Sequence, residues 1–265
     1  MYAARLTSDT PGKFTALASY GGELLAFKED SISIVSGTNP KHYYVSTITG
    51  IGCTAGRSVC VTPKGIIFLS RGGFYIWSGA LPECISHKLN TRYTDATSGF
   101  DGKKYYASAL REDGVYELVV FDTEKGIWHI EDNMEATGIF RHRDGLYIAD
   151  KENLYRYDKD SSDCQWQFTL MRTNNGTLNK KGINEIYIYA DISEGASFWI
   201  ETRTGNNEFK RHTKFSKTGL NVYRSPVRLK KDESFTVRIA GLGRVIIHEV
   251  LIEYSEGGKQ IMKEE

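Results

Sequence analysis

At 265 residues the chain can bury a substantial core and is long enough for two domains. It is 40% hydrophobic and 25% charged, as globular proteins commonly are, and a net charge of +1 excludes a global field that would gather nucleic acid. The 16 tyrosines and 26 glycines against 5 prolines favour pleated surfaces joined by tight turns, and no apolar run reaches the roughly 18 residues of a transmembrane helix.

The start, "MYAARLTSDTPGKF", lacks the apolar stretch of a secretory signal peptide, so none is expected. The first predicted hairpin is "LLAFKEDSISIVSG" (24–37). At an offset of 42 residues "IIFLSRGGFYIWSG" (66–79) matches it in length, in the place of the polar break and in the closing Ser-Gly. "YYASALREDGVYELVVFD" (105–122) is the same hairpin with a longer tip, and "LYIADKENLYRYDK" (146–159) aligns on 66–79 at an offset of 80. A turn precedes each hairpin: Tyr20-Gly21-Gly22, Pro63-Lys64-Gly65, Phe100-Asp101-Gly102 and Arg143-Asp144-Gly145. Gly-Gly and Asp-Gly pairs suit two-residue turns, which need positive φ. A strand enters each turn ("TALASY", "RSVCVT", "DATSGF", "TGIFRH"), and a less regular fourth follows each hairpin ("HYYVSTI", "CISHKL", "GIWHIE", "QWQFTL").

Four strands in about 40 residues, repeated four times, is the period of β-propeller blades. A lone four-stranded meander buries one face poorly, whereas radial stacking covers both, and middle strands then read as apolar runs such as "IIFL" and "ELVVF". The reading is an all-β fold with a propeller-like array of four blades, or four of a set of five, over residues 1–163. The competing arrangement is a set of unrelated β-meanders in a sandwich.

After Gln167 the pattern changes. "INEIYIYA" (183–190) alternates apolar and polar, and "ASFWIETRT", "VYRSPVRLK", "SFTVRIAG" and "RVIIHEVLIEY" follow at uneven spacing. Long strands of this kind predict a β-sandwich or jelly-roll domain over residues 164–265. The turn-rich stretches "DKDSSDC" and "TNNGTLNKKG" mark the boundary. Residues 1–163 carry 18 Lys+Arg and 21 Asp+Glu, and residues 164–265 carry 16 and 12, an asymmetry too small to name a polyanion as partner.

No chemical motif stands out. Cys53, Cys60, Cys84 and Cys164 form no C-x-x-C pair and have no histidine at ligand spacing, so they are expected to be buried free thiols, with a Cys53–Cys60 disulfide as the alternative. His42, His87, His129, His142, His212 and His248 show no H-E-x-x-H or similar spacing. A polar strand end before an Asp-Gly turn accounts for "RHRDG" (141–145) without a charge relay. "FDTEKGIWH" (121–129) falls short of the sialidase S-x-D-x-G-x-x-W box, and core packing between sheets accounts for Trp128. A glycosidase needs two carboxylates facing each other across a cleft, which spacing alone does not display. No G-x-S-x-G elbow, P-loop or dinucleotide fingerprint is present, and "GLGR" (241–244) reads as a hairpin turn. The basic stretches "KRHTKFSK" (210–217) and "RSPVRLKK" (224–231) have only Phe215 and Tyr223 near them and read as a solvated face, with an interface rim as the next reading.

"GELLAFKEDSISIVSG", followed by "GIGCTAGRSVCVTPKG" and "IIFLSRGGFYIWSG", resembles a pattern in tailed-phage and prophage structural proteins. "INEIYIYADISEGASFWIETRTG" and "RSPVRLKKDESFTVRIAGLGRVIIHEVLIEY" are similar to the module that follows in those proteins. The resemblance implies a non-enzymatic virion component of the neck or tail, such as a tail-stabilising or head–tail connecting protein. Its partners would be portal, tail or neck proteins and further copies of itself, with neither nucleic acid nor membrane. Assembly would take place in the bacterial host cytoplasm, and location would be the virion. The resemblance carries no catalytic, cofactor or metal residue, and no cofactor is expected. The alternative is a carbohydrate-binding or glycan-acting propeller of the adhesin or tailspike kind. A kelch-like module is a third reading, disfavoured because Gly72-Gly73 lies within the hairpin.

Overall fold

The computed structural model describes residues 10–39, 42–143, 145–157, 164–170, 181–205, 207–229 and 235–256. The chain is all-β, a propeller-like array of four sheets followed by a β-sandwich. It divides into two compact units, Met1–Asp158 and Lys159–Glu265. Most of "DKDSSDC" and "TNNGTLNKKG", Asp144 of the fourth turn and residues 230–234 lie outside the described residues.

Unit 1 is built from antiparallel sheets in which each strand pairs with the next in sequence. The first holds β1 (Ala16–Tyr20), β2 (Glu23–Phe27), β3 (Ser31–Ser36) and β4 (Tyr44–Thr49). The second holds β5 (Cys60–Thr62), β6 (Gly65–Ser70), β7 (Gly73–Trp77) and the two-residue β8 (Glu83–Cys84). The third holds β9 (Tyr93–Phe100), β10 (Lys104–Arg111), β11 (Tyr116–Asp122) and β12 (Ile127–Asp132). The fourth has three strands among the described residues, β13 (Gly138–His142), β14 (Gly145–Ala149) and β15 (Leu154–Tyr157).

Side-chain alternation explains the stacking, because successive residues of a strand face opposite sides of its sheet. Leu25, Phe27, Ile32 and Ile34 of the first sheet meet Ile66, Phe68 and Trp77 of the second. The intervening residues Ile67, Leu69 and Phe74 turn the other way and meet Tyr105, Ala107, Val119 and Phe121 of the third. Tyr106, Leu118 and Val120 then meet Ile139, Leu146 and Ile148 of the fourth. Middle strands covered on both faces must be apolar over most of their length, and the runs "IIFL" and "LVVF" are that requirement written in sequence. Trp128 lies in the second of these cores, its ring 5.1 Å from Phe74 and 4.9 Å from Phe121, and its indole N–H donates to the Ile85 carbonyl at 2.8 Å.

One expected strand belongs elsewhere. "QWQFTL" reads as the last strand of the fourth blade, but β16 (Gln165–Thr169) pairs in unit 2. Unit 2 continues with β17 (Lys181–Ile192), β18 (Ser197–Thr204), β19 (Lys210–Phe215), β20 (Gly219–Pro226), β21 (Phe235–Leu242) and β22 (Val245–Glu256). One sheet runs β16-β21-β18-β19 and the other β20-β17-β22. Packing against β21 decides the placement of β16. Trp166 lies so close over Gly241 that a Cβ there would fall 2.3 Å from its ring, and its indole N–H donates to the Gly243 carbonyl at 2.7 Å. The two sheets enclose Ile186, Ile188, Ile192, Phe198, Ile200, Phe235 and Ile239.

Candidate functional site

The inward residues of β17 are Ile186, Ile188, Ala190 and Ile192, so Glu185, Tyr187, Tyr189 and Asp191 face away from the core. Asn184 is an extra residue opposite β22, where the register slips between Ile183–Tyr254 and Glu185–Glu253. Such a bulge bends its strand and re-aims its side chains. Its carbonyl accepts the Val227 N–H at 3.0 Å and the Arg228 N–H at 3.3 Å, which holds the chain leaving β20 against β17. Arg228 adopts a left-handed conformation, φ 48°. The result is a groove of about 340 Å³ lined by Asn184, Glu185, Tyr187, Arg224, Pro226, Arg228 and Glu253.

Glu185 and Arg224 form a two-pronged pair, Arg224 donating from Nε and from a terminal nitrogen to the two carboxylate oxygens at 2.6 Å each. The Tyr187 hydroxyl donates to Glu185 at 2.5 Å. The Arg224 hydrogen bonds, followed by that from Tyr187, hold the Glu185 carboxyl below the usual carboxylate range and so keep it ionised. The same contact raises the Tyr187 hydroxyl and keeps it protonated. Among the described residues Arg228 and Glu253 make no side-chain hydrogen bond or ion pair, so their polar atoms are open to a ligand. Glu185 and Glu253 are cross-strand partners, a relation that brings Cβ atoms to about 4.5–5.5 Å. Two close carboxylates are the minimum equipment of a glycosidase. One of such a pair must carry a proton near neutrality, and Arg224 drives Glu185 the other way.

The outer face of the other sheet carries a second polar cluster. The Trp199 indole N–H donates to Glu201 at 3.0 Å, Arg238 Nε donates to it at 2.6 Å, and Arg211 lies 3.5 Å away. Arg211 stacks over Trp199 at 4.0 Å, and Arg238 and Arg203 lie over Phe209 at 3.8 and 4.7 Å. The stretch "KRHTKFSK" is thus partly strand β19, with its arginine engaged inside its own sheet.

The histidines stay apart. His129 lies 2.7 Å from Glu131, His212 2.6 Å from Thr202, His142 against Tyr147 and His248 against Tyr189. Among the described residues no group of three or more His, Cys, Asp and Glu is placed to hold a metal ion. All four cysteines are free, which leaves the Cys53–Cys60 disulfide unformed. Cys53 is buried but Cys164 is exposed, so the expectation of buried thiols fails at the latter, which lies at the start of an edge strand. Burial pushes the Cys60 thiol up to about 11. The sequence shows two parts of the groove without joining them: "RSPVRLKK" holds Arg224, Pro226 and Arg228 and reads there as a solvated face or interface rim, and "INEIYIYA" holds Asn184, Glu185 and Tyr187. The signal present was the outward set Glu185, Tyr187, Tyr189 of "INEIYIYA", but the partners that make it a groove lie some 40 and 70 residues later in the chain.

No family model matches the chain, and no curated protein matches it. Among solved structures it is similar to the exo-β-1,3-galactanase of Phanerochaete chrysosporium with galactose, at 9% identity and TM-score 0.23, covering 88% of this chain and 67% of that one. The E208Q form of the same enzyme with β-1,3-galactotriose matches at 11% and 0.25, covering 85% and 65%. A protein described as a glycoside hydrolase matches at 9% and 0.18, covering 88% and 96%. The chain spans about two thirds of the length of the galactanases. These neighbours are carbohydrate-active enzymes and nothing in the comparisons points to phage structural proteins, so the expectation of a non-enzymatic virion component is corrected and set aside. At these identities and TM-scores the likeness carries no residue, substrate or reaction over to this chain.

Proposed function

We propose that the chain binds carbohydrate in the groove on the outer face of β20-β17-β22. The supporting observation is the composition of that groove, which is lined by two arginines, two glutamates, an asparagine, a proline and one tyrosine. Planar side chains with paired donors and acceptors match the adjacent hydroxyls of a sugar, and an aromatic face matches its C–H surface. Two cationic and two anionic groups leave the groove without a dominant sign, which suits a neutral polyhydroxyl ligand better than a phosphate or an amine. The polar lining disfavours an apolar ligand. Glu185 and Arg224 hold each other in place before a ligand arrives, so little side-chain entropy is lost on binding, and Arg228 and Glu253 supply the open donors and acceptor.

The test is a broad glycan array followed by calorimetry on whatever sugar is retained, with reducing-sugar release measured on the same set. Wild type is expected to retain at least one glycan. Arg224→Ala and Glu253→Gln are expected to weaken that binding about tenfold or more, with melting temperatures close to wild type because both side chains are on the surface. An array without hits, or variants that bind as wild type does, would sink the proposal.

A further inference from the structure

Along β17 the groove lining ends at Tyr187, but the exposed face of the strand continues. Two residues along β17, Tyr189 projects from the same face, about 7 Å further on at the rise of an extended strand. It is 38% exposed, and its hydroxyl has no hydrogen-bond partner among the described residues. Its ring is propped by His248, with centroids 5.2 Å apart. His248 reaches it because the register of β22 slips between the Tyr189–Glu249 and Ala190–Ile247 pairs, which leaves His248 as the extra residue. Tyr189 is flanked on β20 by Val222 and on β22 by Glu249, both exposed. Beyond it lie Asp191 and Leu220, again side by side. Along the strand, therefore, each step offers a carboxylate or arginine beside an aromatic or aliphatic surface.

Resting on the carbohydrate reading of the groove, we infer that the site is extended and takes a linear oligosaccharide lying along β17, with Tyr189 as the platform of a second subsite. A monosaccharide fills the groove at Glu185, Tyr187 and Arg224 and leaves Tyr189 bare. A chain of two or more residues also covers Tyr189, since the step between the two tyrosines is comparable to the length of a hexose. An aromatic platform presents its face to the C–H side of a sugar, while Glu249 and the free Tyr189 hydroxyl meet its hydroxyl groups. Tyr189 would be a specificity-determining residue that sets the preferred chain length.

The experiment is calorimetry with three series of one to four residues: β-1,3-linked galactose, β-1,4-linked glucose and β-1,4-linked N-acetylglucosamine. For the series that binds, affinity is expected to rise about five- to tenfold between one residue and the length that covers Tyr189. Tyr189→Ala is expected to abolish that rise while leaving monosaccharide affinity unchanged, and Tyr189→Phe to keep most of it. Melting curves of both variants establish that the fold is intact. Affinity that is equal at every length, or a Tyr189→Ala loss that is equal at every length, overturns the second subsite and leaves the groove reading standing. Absence of binding to all three series and to every glycan of the broad array overturns the second subsite together with the groove; where the array retains another glycan, the same length series is run with that sugar and decides the second subsite alone.

Discussion

At the residue scale, the close approach of the third and fourth sheets of unit 1 depends on one absent side chain. Gly99 on β9 sits where a Cβ would lie 2.4 Å from the Ile139 carbonyl oxygen and 2.7 Å from the Ile139 Cγ2. The obstruction is backbone, which cannot swing aside as a flexible side chain can. Gly99 does not have a left-handed φ, so the constraint is space and not conformation. Gly99→Ala must push β13 away from β9 and loosen the packing of Ile139, Leu146 and Ile148 on Tyr106 and Val120. Forcing a methyl group into a filled contact costs about 1–3 kcal/mol. Denaturant unfolding of the variant is expected to display a loss of that size. Gly114→Ala serves as the comparison, since a Cβ there meets nothing within 4 Å, although its φ of +87° adds backbone strain of its own. A smaller loss for Gly99→Ala than for Gly114→Ala would contradict the steric account.

At the scale of the element, Glu201 on β18 organises its sheet. Burial acts to raise its carboxyl, yet the hydrogen bonds from Trp199, Arg238 and Arg211, with the charge of Arg238, outweigh burial and hold it below the ordinary value of 4.5. A carboxyl depressed on folding adds stability above its unfolded value, and that stability disappears as the pH falls through the folded one. Wild type should therefore exceed Glu201→Gln in melting temperature at neutral pH, and the gap should close as the pH drops well below about 4.5. Melting curves of the two proteins from pH 7 to pH 2 measure this. A gap that persists unchanged at pH 2 would mean that the glutamate acts by shape and not by charge. Elements were legible in the sequence where local signals were strong. The hairpins at 24–37 and 66–79 were visible because a polar break between apolar runs is a local feature. "CISHKL" contributes only the last residue of the two-residue β8, after which the Ile85 N–H donates to the Phe74 carbonyl and the Ser86 carbonyl accepts the Leu89 N–H in a turn. "QWQFTL" reads as the last strand of a blade, although it lies within 164–265, because its partner, β21, begins some 70 residues later and nothing in the segment encodes that distance. The groove was hidden for the same reason: Glu185 owes its partners to pairing with β20 and β22.

For the whole molecule, the repeat in the sequence and the stack of sheets are one physical fact. Each middle sheet offers one set of alternating residues to the sheet before it and the other set to the sheet after it, so each inter-sheet core is shared between neighbours in sequence. Among the described residues each core cluster is made from residues of one unit. Damage to a core should then register in the unit that owns it. Phe74 has no exposed surface and stands between Tyr93, Tyr105 and Trp128, with ring centroids 5.1 to 5.9 Å away. Phe198 holds the corresponding place in unit 2, against Phe215 and Tyr223. Truncating a buried phenylalanine to alanine costs about 3–5 kcal/mol. Phe74→Ala is expected to lower one calorimetric transition and Phe198→Ala the other, each leaving its counterpart near the wild-type temperature. If both variants shift a single common transition by similar amounts, the two units unfold together and their cores are coupled more tightly than this division implies. Groove-ligand binding supplies an independent readout. Phe198→Ala would weaken it by loosening the sheet behind β17, while Phe74→Ala would leave it intact at temperatures below the lower transition.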